Sequence, residues 1–161
     1  MAETRWLGDD EQRAWRAFIA AQRVVNTRIE RQLQQDSGLP HTYYEILVRL
    51  SDAPGGRLRM SELALATLGS RSRLSHAVAR LEAKGWVRRE GVETDRRGQV
   101  AVITERGRAT LRDAAPGHVE AVRATVFDAL TPAQVEQLYE LCARLAEHNG
   151  GTYDRDLWEP R

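Results

Sequence analysis

Ser70-Arg71-Ser72-Arg73-Leu74-Ser75-His76-Ala77-Val78-Ala79-Arg80-Leu81-Glu82-Ala83-Lys84-Gly85 reads as a capped helix with two unlike faces. Ser70 suits the N-cap, where a hydroxyl accepts from a first-turn amide. Leu74, Ala77, Val78 and Leu81 recur at spacings of three and four, which makes one apolar stripe. Serines, arginines and His76 take the other side, and Gly85 suits the left-handed turn that ends a helix. Upstream, Ser61 is placed to cap a short helix carrying Leu63, Ala64, Leu65 and Leu68, broken by Gly69. Downstream, Trp86–Glu90 and Gln99–Ile103 are β candidates, joined by a charged, turn-rich loop over residues 91–98. Short helix, tight turn, second helix and hairpin is the winged helix-turn-helix order.

Working outward, a helix is expected from Pro40, which fits a first turn because it lacks the N–H that would be orphaned there. Thr42 and Glu45 have capping-box spacing, and Ala53-Pro54-Gly55-Gly56 ends the element. Before it, residues 9–35 carry Trp15, Phe18, Gln22, Val25, Ile29 and Leu33 in a heptad-like stripe. Such a long amphipathic helix calls for a partner helix. After the hairpin, Thr104 caps a helix with Leu111, Ala115, Val119, Val122 and Val126 on one face. Pro116-Gly117 inside it is expected to kink or split it. Thr131-Pro132-Ala133-Gln134 opens a last helix bearing Val135, Leu138, Leu141, Cys142 and Leu145, which ends at Asn149-Gly150.

The 161 residues carry a net charge of +1, with 42% hydrophobic and 29% charged side chains, as expected of one folded unit and not of a disordered chain. Charge is unevenly placed: residues 57–97 sum to +5 and the remainder to −4. Phosphate binding needs that local excess, not a high overall charge. No apolar run approaches a membrane span, and the N-terminus lacks the apolar core of a signal peptide. Cys142 is the single cysteine, which fits a reducing, cytoplasmic setting; on the apolar face of its helix it reads as an inert small hydrophobe.

Function is expected in the basic lobe. Arg71, Ser72, Arg73, Ser75, His76 and Arg80, with Ser70 at the cap, form a surface suited to a major groove. Arginine donates two hydrogen bonds to guanine, serine reaches base or phosphate, and a helix N-terminus favours phosphate. Asp95, Arg96 and Arg97 sit at the hairpin tip, where an arginine can enter a narrow minor groove and Asp95 can orient Arg97. A solvated basic face and a surface ion pair are the bland alternatives. Trp15, His41, Tyr43, Tyr44 and Arg49 are candidates for a ligand pocket, against the alternative of core aromatics and solvated polar groups. His41, His76, His118 and His148 lack metal-ligand spacing, so no metal or cofactor is expected. With neither a nucleophile elbow nor a phosphate loop, nothing supports an enzyme.

Asp95-Arg96-Arg97-Gly98 followed by an alternating strand and Thr104-Glu105-Arg106-Gly107 resembles the wing of the MarR family of transcriptional regulators. Leu81-Glu82-Ala83-Lys84-Gly85-Trp86-Val87-Arg88 resembles the run that leads into that wing, although Ala101 stands where the family usually has a larger apolar residue. The resemblance covers roughly residues 9–149. It implies a mainly α fold with a small β-hairpin wing, a winged helix-turn-helix lobe over 39–103, a helical dimerisation region over 9–38 and 104–149, and tails at 1–8 and 150–161. It further implies a homodimer on a pseudo-palindromic operator, a repressor rather than an activator, with Arg97 in the minor groove and a small aromatic effector that releases DNA. The rival readings are a non-specific architectural DNA-binding protein and a protein-interaction module.

Overall fold

The computed structural model describes residues 3–67, 70–92 and 95–150, with the backbone alone at 92 and 95–98. The chain runs α1 (Asp9–Ser37), α2 (His41–Asp52), a single 3-10 turn (Pro54–Gly56), β1 (Arg57–Arg59), α3 (Met60–Ala66), α4 (Arg71–Ala83), β2 (Val87–Val92), β3 (Asp95–Ile103), α5 (Glu105–Thr125), a second 3-10 turn (Phe127–Ala129) and α6 (Pro132–His148). The three strands form an antiparallel sheet in the order β1-β3-β2. No helix among the described residues is long and apolar enough to cross a membrane.

Several boundaries differ from the sequence expectation. Thr42 and Glu45 do not box the start of α2; Pro40 is its N-cap and has no side-chain cap. The His41 amide instead donates to Glu30 Oε2 of α1 at 3.0 Å, so a neighbouring helix satisfies the orphan donor. Ser61 lies inside α3, whose N-cap is Arg59, with the Glu62 carboxylate accepting from the Arg59 amide at 2.9 Å. The expected break at Gly69 falls outside the described residues. Three-residue β1 was not anticipated, being too short for periodicity to register. The expected loop at 91–98 contracts, because β2 extends to Val92 and β3 begins at Asp95, with a register shift at Gly91/Val92. Pro116 does not split α5, which is continuous across it.

Two apolar clusters join at shared residues. Ile46, Leu47, Leu50, Leu63, Leu74, Val78, Leu81 and Val87 fill the lobe made by α2, α3, α4 and the sheet. Ile29, Leu33, Leu39, Tyr44 and Ala114 form a second cluster where α1, α2 and α5 meet. Tyr43, Trp86 and Leu111 pack against both, so the lobe is mounted on the long helices through apolar contact. The stripe of α1 is buried only towards its C-terminal end; Trp15 and Phe18 stay exposed. On α6 only Ala143 is buried, and Leu138, Leu141, Cys142 and Leu145 face outward. Cys142 is therefore not packed as expected, because α6 has no extensive contact with another element of the described chain.

Candidate nucleic-acid interface

Helix α4 separates its faces as its sequence requires. Leu74, Ala77, Val78 and Leu81 are buried, while Ser70, Arg71, Ser72, Arg73, Ser75, His76 and Arg80 are all exposed. The Ser70 hydroxyl accepts from the Arg73 amide at 3.2 Å, which fixes the first turn. Among the described residues, Arg71, Arg73 and Arg80 form no ion pair, so their guanidinium groups remain available to an anion. Three of the lobe's acidic groups are occupied elsewhere. Glu62 caps α3, Glu90 pairs with Arg57 at 2.9 Å and with Arg88, and Glu82 pairs with Arg89. Neutralisation of these three carboxylates favours a cationic α4 surface.

The hairpin is anchored to both neighbouring helices. The Arg89 amide donates to Glu82 Oε1 at 3.0 Å, and its guanidinium donates from Nη2 to the Ser75 carbonyl at 3.0 Å. At the other end, Thr104 Oγ1 accepts from the Gly107 amide at 3.0 Å and lies 2.7 Å from the Gly85 carbonyl. The Thr104 amide donates to the Trp86 carbonyl at 3.0 Å. A Cβ on Gly107 would stand 2.1 Å from that carbonyl oxygen, so glycine is required for α5 to approach the strand. The Lys84 ammonium lies 4.7 Å above the Trp86 ring and covers the joint. The expected wing readers, Asp95, Arg96 and Arg97, have backbone in β3, and their side chains lie outside the described residues.

This arrangement is shared with known proteins. A family model described as the MarR family matches residues 37–98. The crystal structure of Sco3205, a MarR family transcriptional regulator from Streptomyces coelicolor solved in complex with DNA, is 53% identical, with 91% of each chain covered and a TM-score of 0.87. The chain belongs to the MarR family. AbsC, another MarR family regulator from Streptomyces coelicolor, is 47% identical over 92% of this chain and all of its own, with a TM-score of 0.85. The transcriptional repressor MprA of Escherichia coli is 27% identical over 108 residues; that match spans 67% of this chain and 61% of MprA. The winged-helix fold expected from the sequence is thus the fold of this MarR-family protein.

The pocket candidates do not form one site. His41 and Tyr44 gather around His118 of α5, with ring centroids 6.1 Å and 4.3 Å from the His118 ring. Tyr43 packs at the same junction, and Arg49 lies half-buried towards the far end of α2. Trp15 is elsewhere: it lines a shallow hollow with Trp6, Leu7, Gln12 and Arg16, and contacts Phe18. Glu30, which holds the His41 amide, is fifteen residues further along α1, about 22 Å at the helical rise. His118 was not singled out, because a lone histidine in an amphipathic helix carries no spacing signal. Burial, and then the charge of His41, hold its imidazole below the usual histidine range. Its Nδ1 is buried without a hydrogen-bond partner among the described residues. Burial raises the Tyr44 hydroxyl, and also Glu45, on which His41 and Arg49 act in the opposite direction. No group of three metal-ligating side chains occurs among the described residues.

Proposed function

We propose that this MarR-family protein is a homodimeric, sequence-specific DNA-binding repressor, acting on a pseudo-palindromic operator in the cytoplasm. The observation that carries the reading is the α4 surface: three arginines without ion pairs among the described residues, two serines and a histidine, all exposed on a helix whose other face is core. Arg71, Ser72, Arg73, Ser75 and His76 meet the major groove. Arg80 reaches phosphate, and Arg97, oriented by Asp95 and beside Arg96, enters the minor groove. That the similar Sco3205 was crystallised with DNA supports this use of the fold. Residues 39–103 read DNA, while residues 9–38 and 104–149 join two copies. The exposed Leu138, Leu141 and Leu145 of α6 give that second region its contact surface. Two recognition helices then fall about 34 Å apart, one turn of the duplex. A small aromatic acid seated against His41 and Tyr44 strains the joint between the two regions and releases DNA.

The test is a gel-shift of the purified protein on the intergenic DNA flanking its own gene, with excess random duplex as competitor. A discrete shift that survives competitor and footprints as two half-sites one turn apart is expected. A shift that competitor abolishes favours a non-specific architectural protein, and binding with little salt dependence favours a protein-interaction module.

A further inference from the structure

Arg89 occupies a place that its neighbours in the strand do not share. Arg88 is exposed and pairs along the strand, whereas the Arg89 side chain turns under the sheet onto α4. Two of its nitrogens donate hydrogen bonds there, the backbone amide to Glu82 Oε1 at 3.0 Å and Nη2 to the Ser75 carbonyl at 3.0 Å, while Nε lies 3.1 Å from Glu82 Oε2 as an ion pair without a hydrogen bond among the described residues. Nε is shielded from solvent, and the side chain is only 21% exposed. Ser75 and Glu82 are seven residues apart on one face of α4, about 10 Å along its axis. One arginine of the wing therefore grips the recognition helix at two points two turns apart. Arg89 also pairs in register with Ala101 of β3, the strand that carries Arg97.

We infer that Glu82 and Arg89 are positioning residues for DNA recognition: they set the angle between recognition helix and wing, so that the major-groove and minor-groove readers engage together. The inference rests on the DNA-reading function proposed above. The lever is long enough to matter. Residue 97 lies four residues along β3 from Ala101, about 13 Å, so a tilt of about 10° about the brace displaces the wing arginine by about 2 Å. A displacement of that size breaks hydrogen bonds to one groove while the other stays engaged. Arg89 is tied inward, so it contributes orientation and not phosphate contact. Glu82 contributes although its charge is of the wrong sign for DNA.

That last point gives the test its sign. Simple charge counting says that Glu82→Gln, which removes a negative charge near the interface, tightens DNA binding. The positioning role says the opposite. Wild type, Glu82→Gln, Arg89→Gln, the double variant and Arg89→Lys are titrated by fluorescence anisotropy over a salt series, on a site selected with the wild-type protein and on random duplex. The expected result is roughly tenfold weaker binding to the selected site for either single variant, with random duplex little affected and the salt slope unchanged. The double variant is expected to lose less than the sum of the two singles, because the Arg89–Glu82 ion pair is lost in both. Arg89→Lys keeps the charge but loses the fork, so it does not restore affinity, and it carries the test should Glu82→Gln fail to fold. Equal or tighter binding by Glu82→Gln overturns the inference, as does a salt slope reduced by about one in Arg89→Gln, which marks a phosphate contact. If the wild type itself prefers no duplex sequence, the proposed function falls and this inference with it. A discriminating wild type with indifferent variants overturns the inference alone.

Discussion

Replacing Gly107 by alanine tests the joint between wing and α5. The added Cβ would lie 2.1 Å from the Trp86 carbonyl oxygen and 3.0 Å from both the Trp86 carbonyl carbon and Ile103 Cγ1. Ordinary contact requires a retreat of more than about 1 Å, and the obstructing atom is backbone, which cannot rotate aside. The carbonyl is also held by the Thr104 amide at 3.0 Å, so moving it strains the cap of α5. Overpacking of this kind costs about 1–3 kcal/mol, and weakening the hydrogen bond adds about 0.5–1.5 kcal/mol. Alanine in place of glycine in a helix returns about 0.5–1 kcal/mol. The net loss is then about 0.5–4 kcal/mol, which for a chain of this size lowers the melting temperature by roughly 2–12 °C. Thermal unfolding followed by circular dichroism at matched concentrations measures it. Gly91→Ala, where a Cβ meets nothing within 4 Å among the described residues, is the control and is expected to melt close to wild type. If Gly107→Ala melts with or above the wild type, the joint is compliant and glycine is not required there.

Arg73→Ala is expected to relax base preference at one operator position at a cost of about 1–3 kcal/mol; a uniform loss across sequences, measured by binding to a panel of singly substituted sites, would make it a phosphate contact. Arg97→Ala is expected to weaken binding most on sites with narrow A·T minor grooves, and a silent variant on such sites refutes the wing assignment. Because His118 is held below the usual histidine range in the folded chain, the unfolded chain takes up its proton first as pH falls. Its contribution is therefore present above the ordinary histidine pKa and is lost as pH falls through the folded value, so wild type should lose more thermal stability than His118→Gln between about pH 7.5 and pH 5.5. Leu141→Arg, at a side chain 62% exposed in the single chain, is expected to shift the protein towards monomer in sedimentation velocity, and an unchanged dimer excludes α6 from the interface.

Helix α4 was legible because three independent signals coincide on it: a cap at Ser70, a four-residue apolar stripe, and polar residues confined to the other face. The Thr104 and Thr131 caps were legible for the same reason, since each hydroxyl accepts from the third amide along, as its sequence spacing implies. What escaped reading depends on partners distant in sequence. The His41 amide is capped by Glu30 from another helix, and β1 exists only because Arg57–Arg59 pairs with Val100–Val102. The Arg89 brace hides in a run of Arg88-Arg89-Glu90, where composition alone gives no means of telling the inward arginine from the outward one. Trp15 shows the converse: its sequence position groups it with His41, Tyr43, Tyr44 and Arg49 of α2, but α2 packs against the C-terminal half of α1, and Trp15 near the other end lies beside Trp6, Leu7, Gln12 and Arg16.

The two ends of the molecule are stabilised in different ways, and this bears on regulation. The lobe closes on its own core and is tied at Arg89 and Thr104, so its geometry is set within one chain. Helix α6 is seventeen residues long with one buried side chain. A helix only slightly longer than the marginal range of about 12–15 residues draws most of its stability from packing of its apolar face, and the capping box at Thr131 and Gln134 contributes only about 1 kcal/mol. Its exposed leucines therefore need a surface from outside the described chain. If that surface is a second copy, as proposed, folding of α6 and association are one equilibrium, and the melting temperature rises with protein concentration. The distance between two recognition helices is then set by the least self-sufficient part of the chain. If an aromatic ligand binds at the α1–α2–α5 junction, as proposed, it has only to bias the angle at which the lobe leaves this association-dependent base.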